Sequence, residues 1–543
     1  MQRRRFFGFA VAIAAIVAAT TVGLTAARAD TGMPIDVSGR FHVGEPGQVV
    51  WRAIKPASWN GTLVLDLDFN TWSAAQRDWF LQKGYAIGGI QRTQNETAYE
   101  LKKYVDDMLA ARQKLIDAGA GEPTRTLAFG ASRGGFVARM AVQYRPDVFK
   151  GAVAFAGGGA GVIASWLGKA DAVWALKTLV DPAAPLAISG LPDIAPGTTY
   201  GPNYQQDVAL NQLVTKARAT DAGMARLVLA AAFEQATGWP SGAVEPAATD
   251  YLTQGNLIAG SFAFGNPQFV HKEIEVMAGG PVTWNHGVDY SDLLDRSGSI
   301  DRVRFWYARA GLDLDADLAA LNAAPRFSAD PAAVARVEQI GTFDGQTGGP
   351  VLSIKTIGDS ADPVSLDEAY VRTFEEAGTS DQLRTAFIHR SGHSTQSLRE
   401  RLTAFQTLIE RLDGGSWGDT SPAALNATAA TVGAGTTLTP TQLGTSEFID
   451  YGVTPTLRTW DFTQWGTYFS SYVGSLGLTG SPEFVNTLNN MAKHWQRQQV
   501  EQACSKLGDF ARKAQQQAGK KLTAAQSADL GGKAASLSPA LGC

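Results

Sequence analysis

Cysteine is almost missing: the 543 residues contain two, Cys504 and Cys543, both near the C-terminal end. That excludes a disulfide-dense scaffold. It also excludes a cysteine-based metal centre, because two thiols with only His494 nearby in sequence make a poor ligand set. A surplus of one charge is missing too. Lys and Arg total 47 against 51 for Asp and Glu, with no long run of either sign, so nothing points to nucleic acid or an anionic surface as partner. Beyond the first two dozen residues no apolar run reaches the roughly 18 residues needed to span a membrane. No glycine-rich phosphate loop with its lysine and no clustered His/Asp/Glu set is present, so neither a cofactor nor a metal is expected.

What is there begins with a targeting pattern. Arg3-Arg4-Arg5 is a basic start, residues 6–24 are apolar, and Ala27-Arg28-Ala29 has the small-residue form of a cleavage site. Residues 1–29 therefore read as a signal peptide, and the protein is expected to be secreted. The arginines fit the twin-arginine route and the general secretory route equally. In an exported chain a single pair of cysteines is expected to form one disulfide, Cys504–Cys543, the rival reading being two free thiols.

The centre of the chain is residues 126–144, TLAFGASRGGFVARMAVQY. An apolar strand runs into Gly130-Ala131-Ser132-Arg133-Gly134 and then into an amphipathic helix. This is the form of a nucleophile elbow, with Ser132 on a sharp strand-to-helix turn. A second G-x-S-x-G string at Gly414-Gly415-Ser416-Trp417-Gly418 follows a helical stretch and precedes Asp419-Thr420-Ser421-Pro422. Having neither strand before nor helix after, Ser416 is set aside.

Strands and helices alternate on both sides of the elbow: strands over 48–56 (read as an edge strand), 62–67, 85–90 and 151–156, with helices over 73–83 and 97–118. Such alternation means an α/β fold with a mostly parallel sheet covered on both faces. From 157 to about 348 the pattern becomes helical and rich in Ala, Leu and Trp, and alternation resumes at 350–357, 366–377, 383–389 and 395–412. The expected organisation is a core in two parts, 30–156 and 349–413, split by a helical cap insertion over 157–348. A Gly/Ser/Thr-rich connector packed on the body (414–475) and a small helical C-terminal appendage (476–543) follow. The rival reading of the insertion is a separate helical domain packed alongside.

A serine hydroxyl needs a base within hydrogen-bond reach and an acid to fix that base. With the order Ser…acid…His, only His389 and His393 among the six histidines fall in the resumed sheet region. His389 belongs to a strand, whereas His393 is in the flexible loop just beyond it and is preferred. The acid is expected in Ile357-Gly358-Asp359-Ser360-Ala361-Asp362-Pro363-Val364, where spacing leaves Asp359 and Asp362 open. Oxyanion donors are expected from the backbone N–H of Arg133 and, after the first buried strand, of Asn70 in preference to Phe69.

With these residues placed, the chain resembles the α/β-hydrolase superfamily, and more narrowly its exported bacterial serine hydrolases with a large helical cap. The similarity covers about 51–419. It is carried by PASWNGTLV at 56–64, the elbow, Gly157-Gly158-Gly159, Asn285-His286-Gly287-Val288-Asp289-Tyr290 and, most distinctively, His389-Arg390-Ser391-Gly392-His393. In such relatives the acid directly follows a Gly and is followed further on by an Ala-Tyr pair. Gly358-Asp359 and Ala369-Tyr370 match, which favours Asp359 and leaves Asp362 in reserve. There are two departures: Asp68-Phe69 stands where a His-Gly pair is usual, and Arg133 where Leu or Met is common.

The expected function is a secreted serine hydrolase cleaving carboxylic esters through an acyl-enzyme. The substrate would be a small-molecule or polymer-derived ester with an apolar or aromatic acyl group, in keeping with the composition of the insertion. The alternative is a secreted peptidase, aminopeptidase or amidase with the same triad, for which Glu234, Glu245, Asp289 and Asp292 could hold a substrate amine. A third reading is a binding protein built on an inactive hydrolase body.

Overall fold

The protein is described by a computed structural model, which covers residues 32–45, 47–92, 99–194, 201–460, 482–496, 499–540 and 543. The signal-peptide reading of 1–29 and the aromatics Phe462, Trp465 and Tyr468 lie outside the described residues.

Nine strands form one sheet: β1 (Ile35–Phe41), β2 (Val49–Lys55), β3 (Thr62–Asp66), β4 (Ala86–Gln91), β5 (Arg125–Ala131), β6 (Phe149–Phe155), β7 (Val351–Gly358), β8 (Leu383–Ser391) and β9 (Phe448–Ile449). Their spatial order is β1-β2-β4-β3-β5-β6-β7-β8-β9. From β4 to β8 neighbouring strands are parallel, while β1, β2 and β9 join antiparallel. The central strands are covered on both faces: every residue of β3 and of β7 is buried, including the polar Asp66, Ser353, Lys355 and Thr356.

The strand over 48–56 is not the edge. β1 pairs outside it, from Ile35↔Lys55 to Phe41↔Val49. β1 is hard to read because its sequence, IDVSGRF, has only half-buried and exposed positions. Its alternate residues Ile35, Val37 and Phe41 form a half-buried apolar face that packs on the core.

One face of the sheet packs on α1 (Ala74–Gln82), α14 (Leu398–Gly414) and α15 (Pro422–Thr431). Phe80 and Phe405 meet there edge-on, with ring centroids 4.6 Å apart. The other face packs on α2 (Leu101–Leu115) and α3 (Arg133–Tyr144).

Between β6 and β7 the chain is helical, from α4 (Gly161–Val180) through α5 (Gln205–Arg218), α6 (Asp221–Phe233), α7 (Tyr251–Gly265), α8 (Gln268–Ala278), α9 (Tyr290–Arg296), α10 (Ile300–Ala310) and α11 (Leu314–Ala323) to α12 (Pro331–Gly341). α4 is buried nearly all round, and its two halves serve different cores. Val162, Ile163 and Leu167 join the body, whereas Ala172, Val173 and Leu176 join a core built within the insertion. A helix apolar on every side is what such a double interface requires.

The stretch after α14 does more than connect. Besides α15 it supplies β9, which pairs with β8 through Phe387↔Ile449 and Ile388↔Phe448. Three helices end the chain, Pro482–Gln496, Val500–Gln516 and Ala524–Ala540, the last packing on α12. A Cys504–Cys543 disulfide ties the chain end to the second of them. Among the described residues no helix is long and apolar enough to cross a membrane.

The disulfide closes a sequence separation of 39 residues. Cross-linking a loop of that size stabilises by about 3–4 kcal/mol when denatured-chain entropy dominates. Cys504→Ser is expected to lower the denaturation midpoint of the C-terminal helices by that amount, measured by urea titration with and without reductant.

Candidate active site

The turn between β5 and α3 holds Ser132 at φ 57° and ψ −123°, the left-handed side of backbone space, where a serine is strained. Close packing enforces it. A Cβ on Gly130 would sit 2.3 Å from the Gly134 carbonyl oxygen, and one on Gly157 would sit 2.2 Å from the Ser132 carbonyl oxygen. The Ser132 N–H donates to the Phe155 carbonyl at 2.9 Å, which pins the turn to β6.

β8 delivers its C-terminal loop over this turn. Ser132 Oγ and His393 Nε2 are 2.7 Å apart, and His393 Nδ1 lies 2.9 Å from both carboxylate oxygens of Asp359. Asp359 follows β7, is 1% exposed, and also accepts from the backbone N–H groups of Ala361 and Asp362, both at 2.9 Å. Burial alone would raise its pKa. The His393 charge and hydrogen bond, with Lys355 behind, outweigh burial and hold it below the ordinary carboxylate value. Burial conversely depresses the imidazole of His393, but the Asp359 charge and hydrogen bond dominate and raise it above the ordinary histidine value.

Asp362 is occupied elsewhere. Its carboxylate accepts from the Gly158 N–H at 2.9 Å and pairs with the buried Lys355 ammonium. Lys355 also lies 3.2 Å from Asp367, which in turn pairs with Arg139 at 3.1 Å. Arg139 donates to the carbonyls of Ala156 and Gly157 at 2.7 and 2.9 Å. This chain of buried charges knits α3, β7 and the acid loop together beneath the site.

The remaining sequence candidates are elsewhere. His389 is exposed on β8 and meets Glu245 at 2.7 Å. Ser416 is exposed beyond the end of α14. The Arg133 N–H is at the first position of α3, next to Ser132. Asn70 is exposed in a short 3-10 turn, Phe69–Thr71, and is not among the residues lining the cavity beside Ser132. In the Asp68-Phe69 pair that departs from the usual His-Gly, Phe69 packs on Trp72 while Asp68 pairs with Arg92 at 3.1 Å.

Ser132 and His393 open on a cavity of about 470 Å³ between the body and the insertion. Phe136, Trp166, Phe264 and Phe269 give it an aromatic wall. Phe264 is 61% exposed and sits at the rim, its ring 6.5 Å from that of His393. Three cations also line it. Arg92 is paired with Asp68, and Lys169 donates to the carbonyls of Gly265 and Ala361. Arg133 pairs with Glu273 of α8 at 2.5 Å and lies over the ring of Tyr99 at 4.3 Å. None of Glu234, Glu245, Asp289 and Asp292 lines this cavity. Asp289 caps α9, Asp292 pairs with Arg296, and Glu234, pushed up to about 7 mainly by burial, accepts from Asn266.

Sequence comparison agrees with this geometry. The pattern of the prolyl oligopeptidase family matches residues 95–167, the stretch that contains the elbow. The o-phthalyl amidase of Xanthobacter agilis is 28% identical over 412 residues, 70% of this chain and 89% of the relative. The chain is an α/β-hydrolase of the serine type. Among solved structures, feruloyl esterase B from Aspergillus oryzae is 14% identical with a TM-score of 0.34, covering 71% of this chain and 81% of its own. The acylaminoacyl peptidase of Pyrococcus horikoshii is 11% identical with a TM-score of 0.32, covering 70% and 42%.

Arg133 and Glu273 were not linked by sequence reasoning, since 140 positions separate them. Their side chains are 5% and 0% exposed, and removing one member of so buried a pair costs about 3–5 kcal/mol. Glu273→Ala is expected to lose that much in urea denaturation. The double replacement Arg133→Met, Glu273→Leu is expected to lose distinctly less, because no uncompensated charge is left behind.

Proposed function

We propose that this α/β-hydrolase is an exported enzyme that cleaves carboxylic esters through an acyl-enzyme. The observation that carries the reading is the continuous hydrogen-bonded chain from Ser132 Oγ through the His393 ring to the Asp359 carboxylate. In this reading His393 Nε2 takes the Ser132 proton as Oγ attacks the acyl carbon, then gives it to the departing oxygen. Water, deprotonated by the same nitrogen, releases the acid. Asp359 fixes the Nδ1–H tautomer and stabilises the imidazolium. The Arg133 N–H, beside the nucleophile, receives the oxyanion, and a second donor is expected from the loop after β3. The helices over the site act as a cap. Its aromatic wall fits an apolar or aromatic acyl group, with Phe264 at the entrance. Export rests on the pattern of residues 1–29, and the Cys504–Cys543 bridge suits an oxidising compartment.

Esters come first because an alkoxide or phenoxide leaves the tetrahedral intermediate more readily than an amine. The amide reading has two observations of its own, the similarity to an o-phthalyl amidase and the match of residues 95–167 to the prolyl oligopeptidase family.

Labelling of the mature protein by a fluorophosphonate probe is expected in wild type and in Ser416→Ala, and to be lost in Ser132→Ala. A folded wild type that does not label would sink the proposal. Panels of p-nitrophenyl esters and aryl amides then rank the two bonds. Asp359→Asn is expected to lower kcat by about 10⁴-fold, as losing the orienting acid does in such triads, whereas activity that survives Asp359→Asn but falls with Asp362→Asn would reverse the two acids.

The base must be neutral to act, and the folded protein raises the pKa of His393. kcat/KM is therefore expected to fall, as pH decreases, through an apparent pKa above the ordinary histidine value of about 6.5. In Asp359→Asn that limb is expected to move to lower pH.

A further inference from the structure

A second cavity, of about 170 Å³, lies where the insertion meets the body. Its wall draws on the turn after α6, the α9–α10 junction, the acid loop at 363–365, and Tyr451 and Thr454 beyond β9. Arg302, Gln235, Tyr451 and the hydroxyls of five Ser and Thr residues make up the polar part of that wall, and no carboxylate is included.

Arg302 is the unusual member. It is 7% exposed at the third position of α10. Its Nη2 donates to the Ala236 carbonyl at 3.0 Å and to Ser299 Oγ at 2.8 Å, and its Nη1 to Gln254 Oε1 at 3.3 Å. Among the described residues its Nε finds no acceptor, and every acceptor of the guanidinium is neutral. By contrast Arg133, Arg139 and Lys355, equally buried, each face a carboxylate. Burial lowers the pKa of Arg302 to about 10, which still leaves it protonated at neutral pH. A buried cation without a counter-charge is costly, and an anion in the cavity removes that cost.

The rest of the wall has the same polarity. α10 begins beside the cavity, which Ser299 at its N-cap and Arg302 line, so the positive end of the helix lies close to the space. The Ser299 hydroxyl accepts from Arg302 and the Thr237 hydroxyl from the Trp239 N–H at 3.2 Å, which leaves both protons free to donate. Asp301, in the first turn of α10, is exposed and does not line the cavity.

We propose that this cavity binds a small tetrahedral oxoanion, inorganic phosphate or sulfate, on the Arg302 guanidinium, the α10 N-terminus and the Ser/Thr hydroxyls. Bound there, the anion braces four parts of the chain, among them the stretch 363–365 that follows Asp362. The site stands independently of the ester-hydrolase reading.

The test is titration calorimetry and thermal unfolding of the full mature chain with phosphate and with sulfate, against chloride at matched ionic strength. Saturable one-to-one binding and a rising Tm are expected in wild type and in Ser132→Ala, with affinity at least tenfold weaker in Arg302→Gln. Should Arg302→Gln fail to fold, Thr454→Val at the wall decides: a severalfold weaker affinity supports the site, and an unchanged one overturns it. A wild type that responds to phosphate and sulfate only as it does to chloride also overturns it. So does binding that survives Arg302→Gln and disappears in Arg92→Gln, which would put the anion beside Ser132.

Discussion

The structure depends on one backbone conformation, the left-handed turn at Ser132. A non-glycine residue held there costs on the order of 1–3 kcal/mol and persists only where its surroundings over-determine it. Here the surroundings are two parallel strands and a helix in backbone contact. The Ser132 N–H is fixed to β6, and side chains at 130, 135 or 157 would collide with main chain. The sheet centre must therefore be both apolar and closely packed at β5 and β6, and all other elements are fitted around that requirement.

The second constraint is electrostatic. Arg139, Asp367, Lys355 and Asp362 form a buried chain that ends on the Gly158 N–H. It ties the loop that carries Asp359 to the strand behind the turn, so the carboxylate facing His393 is positioned by charges that never reach the cavity. Two acids three residues apart thus have different environments. Asp359 meets an imidazole, while Asp362 meets an ammonium and a backbone amide.

Much of this was legible in the sequence. Strands β3 to β6 are largely apolar stretches between helical patterns, and the turn at 130–134 stands out by its flanking strand and helix. Order and place in the sheet point to Ser132 and His393 and the resemblance to Asp359, and the three lie within hydrogen-bond reach of one another. Other features were hidden because they are fixed by distant partners. β1 has only a half-buried apolar face, Ile35, Val37 and Phe41, at the edge of the sheet. Arg133 reads as a departure from the usual apolar residue until α8 is seen to bring Glu273 against it. Arg302 is one arginine among many until its lack of an acidic neighbour is seen in three dimensions. Spacing between Asp359 and Asp362 could not choose, because the choice is made by Lys355 on the adjacent strand.

The ninth strand has a consequence for how the chain completes itself. β8 carries the loop of His393, and among the described residues the strand that pairs with its outer edge is Phe448 and Ile449, which are made after α14 and α15. The His389 N–H likewise waits for the Glu447 carbonyl. A chain that folds as it is made holds β8 with an open edge until that later segment arrives, and open edges recruit other strands. The short β9 therefore acts as a late closure, protecting the most vulnerable strand from pairing with another copy.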